Sequence, residues 1–136
     1  AEPVVAEFVD GVTGDRENFL DGFTTNFLSA GGELKVDEAT RKATLAMAAK
    51  ASTTAMLGCV KAFAYTDFRE DLPKIDVPTL VLHGDSDGVV PFEVSGKRSH
   101  EAIANSELVL VEGAPHGFNA SHTEEFDEAL LSFLAK

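Results

Sequence analysis

Two kinds of apolar spacing divide this chain. In the first half, Phe19, Leu20, Phe23, Phe27 and Leu28 recur at helical spacing after Asp15, a residue suited to capping a helix. Ala30-Gly31-Gly32 ends that pattern. Asp37 predicts the cap of a second helix through roughly Lys50, and Ser52 a third carrying Met56, Val60 and Phe63. In the second half the spacing changes. Pro78 precedes a continuous apolar run ending at His83-Gly84, and Asn105-Ser106 turns the chain into Leu108-Val109-Leu110-Val111. Such runs predict strands buried on both faces. Pro91 suits the start of a helix running to about Ala104. Phe126, Ala129, Leu130, Phe133 and Leu134 form the stripe of a last helix, with Ser121 and Glu124 at capping-box spacing before it.

Strand, helix, strand, helix is the signature of a parallel sheet, so the fold class is α/β. Residues 1–66 form a helical cap region whose phenylalanines are packing residues, and residues 67–136 contribute to the sheet core. Two parallel strands are a poor unit alone, because parallel sheets need neighbours and cover on both faces. Further strands are therefore expected from another polypeptide or from a second copy of this chain.

Charge narrows the partners. With 23 acidic and 11 basic residues the net charge is −12, which repels nucleic-acid phosphates and anionic lipid. No apolar run approaches the ~20 residues that cross a bilayer. Cys59 is the single cysteine, which excludes an internal disulfide and fits a reducing cytoplasm; within a helix it is expected in the core.

The candidate chemistry lies at the two strand ends. Asp87 follows the first strand and His116 the second, both in glycine-bearing loops, beyond the carboxyl edge where open α/β sheets bind ligands. A histidine base works best beside a buried carboxylate that fixes its tautomer and stabilises the imidazolium. Gly84-Asp85-Ser86-Asp87-Gly88 matches G-x-S-x-G, yet flanking acids oppose an alkoxide at Ser86, and Val89-Val90-Pro91 replaces the helix that a nucleophile elbow needs. His83, Asp85, Asp87 and His116 offer a weaker alternative, a metal site with N and O ligands. His100 and His122 are expected to be solvated, His122 with a structural role at a helix start.

Residues Ala64 to Pro78 leading into Leu82-His83-Gly84-Asp85-Ser86-Asp87, together with Val111-Glu112-Gly113-Ala114-Pro115-His116-Gly117 and the closing Leu130 to Lys136, resemble the cofactor-free haloperoxidase branch of the α/β-hydrolases. The resemblance reaches weakly through Asp10-Gly11 and Asp15-Arg16, and it covers only the C-terminal half of such an enzyme. It implies a serine, aspartate and histidine triad in that chain order, with Asp87 as the acid and His116 as the base. It further implies hydrolysis of small esters, or formation of peracids from carboxylic acids and peroxide, with no metal or haem cofactor. The serine and oxyanion donors would precede Ala1, supplied by an N-terminal hydrolase part, so the chain is expected to be a fragment, a cleaved subunit or an engineered half. A noncatalytic half-fold that self-associates to complete its sheet is the competing expectation.

Overall fold

A computed structural model of the chain describes residues 2–136. They cluster into two compact units: the described residues up to Thr25 with Glu38–Asp67, and Asn26–Asp37 with Phe68–Lys136.

The first unit is helical. It contains α1 (Glu2–Thr13), most of α2 (Arg16–Phe27), α3 (Glu38–Ala48) and α4 (Thr53–Tyr65). The expected caps form: Asp15 Oδ1 accepts the Asn18 amide, and the Ser52 side chain accepts the Ala55 amide. Helix α1 is not among the expected elements, and its valines and Gly11 are weak helix formers. Packing overrides that weakness, since Val5 and Val12, one heptad apart, are both buried and α1 lies against α4. Phe8, Phe19 and Phe23 make edge-on and stacked ring contacts, the packing role expected for the last two. Phe63 instead points outward, and Cys59 is exposed rather than in the core. The buried face of α4 is marked by Val60, and the adjacent residue on a helix is turned by about 100° away from it.

The second unit carries the sheet. Strands β3 (Thr79–Gly84) and β4 (Ser106–Val111) pair in parallel, Leu80 opposite Glu107 and Gly84 opposite Val111. Between them lie a 3₁₀ turn at Phe92–Val94 and α5 (Gly96–Ala102), so the helix expected from Pro91 is broken at Ser95. After β4 come α6 (Phe118–Ser121) and α7 (Thr123–Leu134). The capping box does not form: Ser121 is the last residue of α6 and bonds the His122 ring, and His122 occupies the cap of α7 without a side-chain bond to the helix amides. Val111, Ala114 and Phe118 form the core, packed by Leu82, Val109 and Phe126.

Gly31-Gly32, read as a helix stop, is also the turn of a small hairpin. Strands β1 (Ser29–Ala30) and β2 (Glu33–Leu34) pair antiparallel across it, and both glycines take positive φ, +60° and +80°. The apolar run of β3 is only half-buried before Gly84, and Leu110 on β4 is 43% exposed. The expected burial on both faces is thus unmet by these residues, since each strand has a single neighbour. Among the described residues no single helix is long and apolar enough to cross a membrane.

Candidate active site

The ends of the two parallel strands are sewn together by backbone bonds. The Asp85 amide donates to the Val111 carbonyl at 3.0 Å and the Ser86 amide to the Ala114 carbonyl at 3.2 Å. The Asp85 carboxylate adds a cross-link, accepting the Gly113 amide at 2.7 Å, while Gly113 turns the loop with φ +68°. Gly84 permits this approach: a Cβ there would lie 2.3 Å from the Ala114 carbonyl oxygen. The histidine loop is held from its other side by the Gly117 amide, which donates to the Phe27 carbonyl at 2.8 Å.

This framework brings Asp87 and His116 together. His116 Nδ1 stands 2.7 Å from Asp87 Oδ2, and since a carboxylate only accepts, the proton is on Nδ1. The Asp87 side chain is 3% exposed and its other oxygen accepts the amides of Val89 and Val90 at 2.9 and 2.8 Å. A buried carboxylate with every oxygen satisfied is rigid. The imidazole is 32% exposed, and its Nε2 has no hydrogen-bond partner among the described residues. The Phe27 ring stands edge-on to it, 4.8 Å between centroids. An imidazole oriented by a carboxylate, with its far nitrogen open, can accept a proton from a nucleophile and return it to a leaving group.

Other candidates fall elsewhere. The Ser86 hydroxyl donates to Asp85 Oδ1 at 2.9 Å rather than to a histidine, and β3 runs into a turn instead of a helix. His83 reaches the Val90 carbonyl at 2.9 Å and lies 3.3 Å from Asp87 Oδ2. Among the described residues no group of three or more His, Cys, Asp or Glu could hold a metal ion. His100, expected to be solvated, is half-buried and bonds the Ser106 hydroxyl at 2.8 Å, tying α5 to the start of β4. His122 bonds Ser121 at 2.9 Å.

Three contributors escaped the sequence reading. His83 was weighed only as a metal ligand, although a polar side chain ending an apolar strand is itself a signal. In the sequence Asp85 stands out only as a charge flanking Ser86 or as a member of the weaker metal alternative, and Phe27 only as a packing residue. For Phe27 no signal in the sequence could have indicated the contact, because 89 positions separate it from His116 (116 − 27).

Residues 45–136 match the α/β-hydrolase family described as TAP-like protein. A non-heme chloroperoxidase of Kitasatospora aureofaciens is 41% identical over 130 residues, which are 93% of this chain and 47% of that protein. A bifunctional esterase/perhydrolase of Acinetobacter calcoaceticus is 48% identical over 75 residues, 55% of this chain and 27% of that protein. The solved structure of a bromoperoxidase from Bacillus anthracis superposes with a TM-score of 0.94 at 51% identity, covering 97% of this chain and 48% of that one. The chain spans about half the length of these full-coverage relatives. The strand pair, its loops and these likenesses agree, and the chain belongs to the α/β-hydrolases, as the C-terminal half of that fold.

Proposed function

We propose that Asp87 and His116 are the acid and base of a serine hydrolase whose nucleophile and oxyanion donors are supplied from outside these 136 residues. The carrying observation is the 2.7 Å bond from His116 Nδ1 to the buried Asp87, with Nε2 left open. His116 Nε2 takes the proton of the incoming serine hydroxyl as its oxygen bonds to the ester carbonyl carbon. Asp87 stabilises the imidazolium, which then protonates the departing alcohol and leaves an acyl-enzyme. Water accepting the acyl group gives the acid, and hydrogen peroxide gives the peracid. The names of the relatives, a chloroperoxidase and an esterase/perhydrolase, support both acceptors and a small ester or carboxylic acid as substrate. The partner is an N-terminal hydrolase segment, and the compartment a reducing cytoplasm, in which the exposed Cys59 stays a thiol.

The chain by itself has little or no activity, because a preorganised oxyanion hole is the largest electrostatic contribution in acyl transfer. Hydrolysis of p-nitrophenyl acetate tests the reading. The chain alone is expected to be silent, the chain combined with an N-terminal hydrolase half active, and His116→Ala inactive in that combination. Saturable hydrolysis by the isolated chain, lost with His116→Ala, would overturn it.

A second reading is a noncatalytic half-fold that pairs with its own copy. The half-buried β3 and the exposed Leu110, Leu131 and Leu134 favour it. A stable homodimer in solution without esterase activity on adding the N-terminal half would select it.

A further inference from the structure

We propose that His83 is a positioning residue for the Asp87–His116 pair, acting through Val90 and the shielded side of the Asp87 carboxylate. The inference rests on the hydrolase reading above. His83 is the only polar side chain in the run Leu80-Val81-Leu82-His83, and it is 13% exposed. Its Nε2 meets the Val90 carbonyl at 2.9 Å; a carbonyl only accepts, so Nε2 bears the hydrogen. The Val90 amide in turn donates to Asp87 Oδ1 at 2.8 Å. Val90 is therefore gripped at both polar groups, its carbonyl by His83 and its amide by the catalytic acid. The same Nε2–H edge lies 3.3 Å from Asp87 Oδ2, the oxygen that receives His116. One strand residue thus sets the turn that aims the carboxylate and adds positive potential at the oxygen facing the base.

The ring is held in place from outside. Phe92 stands against it, 5.6 Å between centroids, and Gly96 opens α5 against its other nitrogen. A Cβ at position 96 would lie 2.7 Å from His83 Nδ1, so only glycine lets the backbone pass there. Among the described residues the one other donor to the Val90 carbonyl is the Ser95 hydroxyl, at a long 3.5 Å. A hydrophobic residue at 83 would fill the space but leave that carbonyl poorly satisfied and the 87–90 turn free to shift.

The test uses the esterase-active combination of this chain with an N-terminal hydrolase half. His83→Leu is expected to lower kcat about tenfold with KM within about twofold, and to move the downfield proton resonance of His116 Nδ1–H. His83→Gln, whose amide nitrogen reaches the position of Nε2, is expected to restore kcat to within about threefold of the parent. Gly96→Ala, which keeps the imidazole but displaces it, is expected to shift the same resonance, and it serves if His83→Leu does not fold. Parental kcat in the folded His83→Leu variant overturns the proposal whether or not the resonance moves, as does a loss that His83→Gln fails to restore. His116→Ala separates the two claims. Full activity there sinks the hydrolase reading, whereas its loss alongside parental kcat in His83→Leu sinks the His83 role alone.

Discussion

His116 Nδ1 and Asp87 Oδ2 lie 2.7 Å apart across 29 positions of sequence, joined by a bond that neither strand makes alone. The parallel register sets Gly84 opposite Val111, and the loops that follow each residue need only a few steps to converge. Asp87→Asn keeps the shape but removes the charge and can present an N–H to the imidazole, favouring the wrong tautomer. In the active combination kcat is expected to fall by about three to four orders of magnitude, with the circular dichroism unchanged. An Asp87→Asn variant retaining more than a tenth of the parental rate would contradict the assigned roles.

Gly84→Ala tests the close approach of the strand ends. The added methyl would sit 2.3 Å from the Ala114 carbonyl oxygen and 2.8 Å from that of Pro115, both backbone atoms just ahead of His116. Rigid backbone cannot yield as a side chain can, so a loss of about 1–3 kcal/mol is expected in urea unfolding. Activity in the combined protein should fall with it, because the histidine loop is what must move.

Asp85→Ala removes the acceptor that fastens Gly113 to the first loop. The bond is exposed, so a small cost of about 0.5–1.5 kcal/mol is expected by chemical denaturation. The effect should exceed that of Ser86→Ala, whose hydroxyl merely leans on the same carboxylate. Equal costs for the two would mean that Asp85 does not clamp the loops.

Within the helical unit, Arg41 donates to both oxygens of Glu38 at 2.9 Å and holds its carboxyl below the ordinary value of 4.5, with a smaller attraction from Lys42. A carboxylate whose pKa is lower folded than unfolded adds stability above the ordinary value and loses it as pH falls through the lowered one. The melting temperature of the parent should therefore exceed that of Glu38→Gln near neutrality. The gap is expected to close as pH drops below about 4.5, and its persistence under acid would refute the pairing as its source.

Gly22, within α2, has open space where a Cβ would stand. Gly22→Ala is expected to stabilise the chain by about 0.5–1 kcal/mol, through helix propensity and a less free unfolded state. Thermal unfolding reads this directly, and a lower midpoint would show that α2 needs the glycine.

Hydrophobic periodicity and punctuation by proline, serine and glycine were enough to reveal α2, α3, α4, β3, β4 and the last helix, because those signals are local. The same order of elements implied a parallel pair, and a parallel pair with acid and histidine at matched ends implied a shared reaction centre. Packing decided what local signals could not. Helix α1 forms against α4 despite its valines, Cys59 faces outward, and α5 begins only at Gly96, whose missing Cβ leaves room for the His83 ring. The surroundings of Asp87 and His116 were likewise illegible. His83 and Val90 lie within four positions of Asp87, yet their contacts depend on how the turn after β3 closes, and Phe27 comes within 5 Å of His116 only because folding joins segments far apart in sequence. Sequence alone thus determined which residue types could do acid–base chemistry and where the strands would end. Tertiary structure decided their aim, because the direction of a side chain depends on contacts that chain order does not encode.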